Sequence, residues 1–258
     1  MAQFSGDVIA ITGGASGIGA ACAEVLVARG ARVAILDRNM DQAGEVAERL
    51  GGAAFFVDVS EEDSIVEAFA KVEADLGPMA GGITSAGIVQ TPKPPADLEM
   101  DVFDKIYEVN FRGTFLSLRE MAKYMLPRRA GSMVALSSVT ARRSTPLHAY
   151  GPGKAAITNL VGGLASEWGR AGLRVNAIEP GYTRTPALQA QIDMGNRDVG
   201  LMNENSTLGR MVEPSEIGTA AAFLLSQDAS AVTGLSMAVD AGFYQVGSWA
   251  PYGGVRKH

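Results

Sequence analysis

Cysteine is almost missing from this sequence: Cys22 is the only one in 258 residues, and histidine occurs twice, as His148 and His258. A single thiol excludes an internal disulfide, and one Cys with two His cannot complete a closed zinc site of the usual kind. The chain therefore reads as a protein of a reducing compartment with no structural metal. Cys22 itself falls on the apolar face of a helical pattern, where it reads as a small buried hydrophobe rather than a reactive thiol.

Positive charge is in deficit too. Lys and Arg number 22 against 28 Asp and Glu, a formal net charge of −6. Surfaces that bind nucleic acid or anionic membrane need the opposite balance, so a small-molecule partner is expected. Long apolar runs are absent: none approaches the roughly eighteen residues of a membrane span. From Met1 the chain passes almost directly into an apolar strand pattern, with no basic leader or small-residue cleavage site. A soluble, cytoplasmic protein is the expectation.

What is present is an ordinary globular composition, 47% hydrophobic and 19% charged, with an excess of glycine at 31 residues. The length suits one domain, residues 1–258, built on one sizeable core. Short apolar runs alternate with amphipathic stretches, the pattern of βαβ units around a parallel sheet. The predicted strands are Val8–Thr12, Arg32–Asp37, Ala53–Asp58, Ile83–Ser85, Ser132–Ser137, Arg174–Ile178 and Ser236–Asp240. The fourth rests on topology alone, because Gly81 and Gly82 lower strand propensity where branched residues are usual. Ile18, Ala21, Cys22, Val25 and Leu26 form one helical face that should pack on the sheet. Ser60 to Asp63 reads as a capping signal for a helix carrying Ile65, Phe69, Val72 and Leu76. Periodicity is lost over about 182–210, which reads as a long loop serving as a substrate lid. A C-terminal tail, about 243–258, adds Phe243, Tyr244, Trp249 and Tyr252, aromatics expected to pack on the body or on a neighbouring subunit.

The first strand runs into Thr12-Gly13-Gly14-Ala15-Ser16-Gly17-Ile18-Gly19 and then into a helix. Glycines there let the backbone turn sharply and approach a pyrophosphate, whose charge meets the positive end of the helix dipole. A glycine string alone is weak evidence; placed between strand and helix it is much stronger. The second strand ends in Asp37, a carboxylate suited to the adenosine ribose hydroxyls and repulsive to a 2′-phosphate, which favours NAD over NADP. Arg38 is the contrary sign, being able to pair with that phosphate. Asp58 closes the third strand and, with Val59 beside it, is placed to reach the adenine edge.

These residues, with three further motifs, resemble the short-chain dehydrogenase/reductase family in its short single-domain branch. Thr12 to Gly19 resembles the family's T-G-x-x-x-G-x-G, and Tyr150 to Lys154 its Y-x-x-x-K. Pro180-Gly181 resembles its P-G motif and Val239 to Gly242 its closing segment. The resemblance covers nearly the whole chain. It implies an α/β fold, a doubly wound, Rossmann-type sheet of seven parallel strands with helices on both faces. It also implies NAD(P) at the carboxyl ends of the strands, a homotetramer, and a catalytic tetrad at Asn110, Ser138, Tyr150 and Lys154. The run Ala135 to Val139 selects Ser138, whereas the commoner family spacing to the tyrosine, one residue longer, selects Ser137. One departure is plain: the family's N-N-A-G appears as Thr84-Ser85-Ala86-Gly87. The small Ala86 and Gly87 that admit the cofactor ribose are kept, while hydroxyls, Ser85 among them, replace the amides that brace the sheet.

Removing a proton from an alcohol as its hydride leaves needs a base, and a free tyrosine with pKa about 10 is protonated. Tyr150 and Lys154 stand four apart, on one helical face, so the ammonium is expected to stabilise the phenolate. At roughly 6 Å and an effective dielectric of about 20 this contributes about 3 kcal/mol, or about two pKa units. Ser138 would hold the substrate oxygen. Through the resemblance, Asn110 would anchor a water that links the lysine to solvent. After Pro180-Gly181, the Thr183 backbone and Thr185 hydroxyl are expected at the nicotinamide carboxamide.

The expected reaction is NAD-dependent hydride transfer between a ketone and a secondary alcohol: a small alcohol, polyol or hydroxy acid. Arg142, Arg143 and His148 are candidates to read a substrate carboxylate. Leu188, Ile192, Met194, Leu201 and Met202 would give the lid an apolar wall. Two alternatives remain: a 3-oxoacyl-thioester reductase using NADPH, and a catalytically silent NAD-binding sensor or scaffold.

Overall fold

A computed structural model describes residues 3–247. Seven strands form one all-parallel sheet: β1 (Val8–Thr12), β2 (Arg32–Asp37), β3 (Ala53–Phe56), β4 (Met79–Thr84), β5 (Gly131–Leu136), β6 (Leu173–Pro180) and β7 (Ser236–Val239). Their spatial order is β3-β2-β1-β4-β5-β6-β7, so the direction of winding reverses between β1 and β4. A parallel sheet must be covered on both faces, and two buried clusters do this. One holds Phe69, Leu118, Met121 and Val161; the other holds Cys22, Leu26, Ile35 and Leu224.

On one face lie α1 (Gly17–Ala28), α2 (Met40–Leu50) and α9 (Pro214–Leu225); on the other lie α3 (Glu62–Leu76), α5 (Gly113–Arg128) and α6 (Tyr150–Trp168). The first helix packs closely on α9, and a side chain at Gly218 would come within 2.9 Å of the Ala21 carbonyl. Cys22 is fully buried there. Burial pushes its thiol up to about 12, which makes it inert at neutral pH.

The fourth strand begins four residues earlier than predicted and includes both glycines. A side chain at Gly82 would collide with Met121 of α5, and one at Gly81 with the Ser132 carbonyl and Leu225. Those two positions are bare so that helices on both faces can press against the strand, a requirement that β propensity does not see. β6 likewise runs on to Pro180, two residues past its predicted end.

Two local expectations are corrected. Ser60 does not cap α3: Glu61 stands at its N-cap without a side-chain bond, and the Ser60 hydroxyl donates to Asp58 instead. The segment 182–210 is not one loop, since it folds into α7 (Pro186–Asp193) and α8 (Val199–Glu204). Each is capped locally, by Thr185 and Asp198, whose side chains accept from Leu188 and Leu201 amides. Both helices are under three turns long, too short for a periodic signal. Trp249, Tyr252 and His258 lie outside the described residues.

Candidate active site

A cleft of about 630 Å³ opens at the carboxyl ends of the strands, on the reversal between β1 and β4 where open α/β sheets bind ligands. Its floor is the glycine loop. Gly13 and Gly17 have φ of +68° and +55°, and a side chain at Gly13 would stand 2.5 Å from the Ala86 amide. A side chain at Gly19 would meet the Gly13 carbonyl at 2.1 Å, so Gly19 closes the turn from behind. Ser16 at the N-cap of α1 makes no side-chain cap bond. The amides at that helix end therefore face the cleft as an anion site.

Asp37, at the end of β2, is held on both oxygens: Oδ2 accepts from the Ala15 amide at 3.1 Å and Oδ1 from the Asn39 amide at 3.0 Å. The glycine loop and the acidic residue thus fix each other. Arg38 beside it is exposed. Asp58 accepts from the Ser60 hydroxyl at 2.6 Å and from its amide at 2.9 Å. Those bonds hold the Asp58 carboxyl below the usual range, with help from Lys105 and Arg38. This end of the cleft is charged and hydrogen-bonding, and Val59 adds apolar wall. Its cradle bare of side chains, uncapped helix end and rigid carboxylate fit an adenine dinucleotide.

At the other end Tyr150, Lys154 and Ser138 converge. Lys154 is 6% exposed, and its Nζ donates to the Leu136 carbonyl at 2.6 Å while lying 5.5 Å from the Tyr150 ring centre. The lowering of the phenol expected from the ammonium does not dominate here; burial does. Burial pushes Tyr150 up to about 12, opposed by its hydrogen bond with Ser138, and burial pulls Lys154 down to about 8. Helical spacing does put the two on one face. It does not reveal that the ammonium turns to a carbonyl, or that both groups lose water.

The two serines take different places. Ser138 faces Tyr150 and accepts from the Thr140 amide at 3.1 Å. Ser137 points into the protein, donating to the Lys154 carbonyl and meeting the Thr158 hydroxyl, both at 2.9 Å. Asn110 is fully buried and does not line the cleft. It sits in a π-helical turn, Tyr107–Arg112, between α4 (Met100–Ile106) and α5. There its Oδ1 accepts from the Ile88 amide and its Nδ2 donates to the Ile88 carbonyl, both at 2.8 Å. Ser85, Ala86 and Gly87 line the cleft, and the hydroxyl of buried Thr84 has no partner. The sheet brace expected of an amide at that position is therefore missing.

Pro180, Gly181, Thr183 and Thr185 complete the wall, with Ile18, Val89, Tyr182 and Leu188. Thr183 donates its hydroxyl to the Gly181 carbonyl at 3.0 Å, and Thr185 spends an acceptor on α7 but keeps its hydroxyl hydrogen. Arg142, Arg143 and His148 do not line the cleft. Arg142 pairs with Glu179, Arg143 donates to the Tyr244 carbonyl, and His148 is exposed. Sequence reasoning missed Ile88 and Val89, which carry no motif, and Gln90, whose importance depends wholly on what it touches.

Residues 13–244 match the family described as Enoyl-(Acyl carrier protein) reductase, and the chain belongs to the short-chain dehydrogenases/reductases. It is 40% identical over 251 residues to the 2,5-dichloro-2,5-cyclohexadiene-1,4-diol dehydrogenase of Sphingobium indicum, covering 94% of this chain and 99% of that one. It is 33% identical over 248 residues to the cis-4-hydroxycyclohexanecarboxylate dehydrogenase of Sinomonas cyclohexanicum, covering 94% and 98%. The solved structure of a protein named ribose-5-phosphate isomerase, from Brucella melitensis 16M, superposes with a TM-score of 0.96 at 41% identity over 99% of each chain. The protein is an oxidoreductase of this family, acting on CH–OH groups. The family's dehydrogenases work with nicotinamide cofactors, and the relatives act on secondary alcohols. Among the described residues no helix is long and apolar enough to cross a membrane.

Proposed function

We propose that the protein is an NAD-dependent dehydrogenase of an uncharged secondary alcohol, with an alicyclic alcohol or diol as the substrate class. One observation carries the choice: apart from Lys154, the charged side chains lining the cleft all belong to its adenine end, namely Asp37, Arg38, Asp58 and Lys105. The uncharged lining of the cleft includes Ile88, Val89, Tyr182 and Leu188. An apolar cleft with two convergent hydroxyls suits a ring carbon bearing oxygen. A carboxylate would find there no cation but Lys154, whose amine is turned to the Leu136 carbonyl, which disfavours the hydroxy acid.

Nicotinamide, when bound, takes up or gives the hydride. Tyr150 then moves the proton at its Oη and Ser138 holds the substrate oxygen. Lys154, pinned by Leu136, keeps a positive charge behind the ring. With its phenol pushed up to about 12 by burial, Tyr150 is a proton donor at neutral pH, the form that ketone reduction uses. Oxidation needs it deprotonated, so oxidative turnover should rise with pH. NAD is favoured because both Asp37 oxygens are fixed by backbone amides, leaving the carboxylate no freedom to swing away from a 2′-phosphate.

The test is cofactor reduction with NAD and, separately, NADP on cyclohexanol, cyclohexane-1,4-diol, threitol and 4-hydroxycyclohexanecarboxylate. Turnover of the uncharged rings with NAD supports the reading. Preference for the carboxylated ring, or for NADP, overturns that part of it. Tyr150→Phe should keep NADH binding and lose turnover; unchanged turnover would remove the assigned proton role.

A further inference from the structure

We infer that Gln90 is a positioning residue for Tyr150, capping the catalytic helix from sixty residues away. The inference rests on Tyr150 being the proton-handling residue.

Tyr150 is the first residue of α6, and the residue before it is Ala149, which has no side chain able to cap. A helix start leaves its first amides without intrahelical acceptors, and Ala is among the poorest N-cap residues. Here the local chain offers nothing, yet both amides are satisfied. Gln90 Oε1 accepts from Ala149 N at 2.8 Å and from Tyr150 N at 3.2 Å. Gln90 is 2% exposed, so water cannot replace it there. Since both bonds run from backbone donors, the side-chain atom receiving them is the amide oxygen, and Nε2 is left buried with no partner. That unpaired donor costs stability, which fits a residue kept in place by its oxygen.

The same loop is pinned at its other end, where Asn110 holds both backbone groups of Ile88. Between the two clamps lies Val89, 66% exposed and facing the cleft. The wall that a substrate touches and the helix turn that carries the acid/base are therefore one rigid unit. Without the cap the first turn of α6 frays, and the Tyr150 phenol loses its fixed place relative to Ser138.

Two substitutions separate this role from simple folding support. Gln90→Met keeps length and volume but removes the acceptor; Gln90→Glu keeps the acceptor and adds a negative charge. Hydrogen–deuterium exchange of the cofactor-free protein, followed in peptides spanning 147–152, should show protection lost in Gln90→Met and retained in Gln90→Glu. That arm needs no substrate, so it tests the cap even if the alcohol reading is wrong. In cyclohexanol oxidation with NAD, Gln90→Met should lower kcat about tenfold with KM within about twofold, a loss of roughly one helix cap. Gln90→Glu should recover most of that kcat and move the ascending limb of the pH profile upward, because a negative charge at the start of the Tyr150 helix opposes ionisation of the phenol. Unchanged exchange in Gln90→Met, or equal kcat and pH profile across the three proteins, overturns the proposal. Tyr150→Phe run alongside distinguishes the two claims: if it retains turnover the acid/base assignment fails, whereas its inactivity beside a fully active Gln90→Met condemns the cap.

Discussion

The hydroxyl of Tyr244 lies 2.8 Å from Oε2 of Glu179 and 3.1 Å from the Val139 carbonyl, joining the C-terminal segment to a fully buried carboxylate on β6 and to the turn after Ser138. The other Glu179 oxygen accepts from Arg142 and from Thr158, both at 3.1 Å, and Thr158 passes the contact on to Ser137 and so to the Lys154 carbonyl. One buried charge thus ties together four parts of the chain that surround the catalytic groups. A buried ion costs several kcal/mol unless every lone pair is engaged, and here the partners engage it. Glu179 and hydrogen bonding, after burial, keep the Tyr244 phenol protonated far into the alkaline range.

Tyr244→Phe should accordingly destabilise the fold by about 2 kcal/mol, leaving Glu179 one donor short. Urea unfolding at neutral pH gives the value. A change below about 0.5 kcal/mol would mean that the segment near 244 does not hold Glu179 in solution.

Lys154→Met should stabilise the cofactor-free protein at pH 7. The folded lysine titrates near 8 against an ordinary 10.5. Between those pH values the unfolded chain binds more protons, so wild-type stability climbs as pH rises. Below pH 8 the full burial cost of the charged amine is present, on the order of 3 kcal/mol, less about 1 for the lost bond to Leu136. A net gain of about 2 kcal/mol should shrink toward pH 10.5, as paired unfolding curves at pH 7 and pH 10 would show.

Ser138→Ala and Ser137→Ala should fail in different ways. Removing the hydroxyl beside Tyr150 should cut kcat by about a hundredfold or more, at a cost of about 1 kcal/mol of stability for the Thr140 amide that it caps. Removing the Ser137 hydroxyl should cost about 1 kcal/mol of stability, because the buried Lys154 carbonyl loses a donor. Steady-state kinetics separates the two variants, thermal unfolding checks the stability cost of each, and the reverse kinetic pattern would reassign the serine.

Asp37→Ala should raise kcat/KM for NADP relative to NAD by at least about tenfold, since a charge repelling the 2′-phosphate is gone and Arg38 remains. The ratio measured with one alcohol decides it.

Arg174 sends hydrogen bonds from β6 to the carbonyls of Leu224, Leu225, Ser226 and Val232, closing the end of α9. That helix has no basic residue of its own in its last turn. Arg174→Met should cost about 2–3 kcal/mol, measurable by denaturant unfolding, with the cleft chemistry untouched.

Much of this was legible in the sequence, because its signals are local. A turn that needs positive φ and bare backbone requires glycine, so the loop at Gly13–Gly19 announces itself, and Asp37 follows at the end of a continuous apolar strand. Tyr150 and Lys154 lie four apart on one helix, a relation that sequence distance expresses directly. The parallel sheet follows from alternating short apolar runs and amphipathic stretches, and its doubly wound form from the resemblance to the family. Only tertiary structure decided the rest. It set Ser138 toward Tyr150 and Ser137 away, since which side chain faces the cleft depends on where the strand ends. It turned Arg142 to Glu179 and Arg143 to the Tyr244 carbonyl, and gave Gln90 to a helix start sixty residues downstream. It also moved the Tyr150 and Lys154 proton affinities in the directions that lost water dictates, because desolvation belongs to the packed surroundings and no residue carries it in its name.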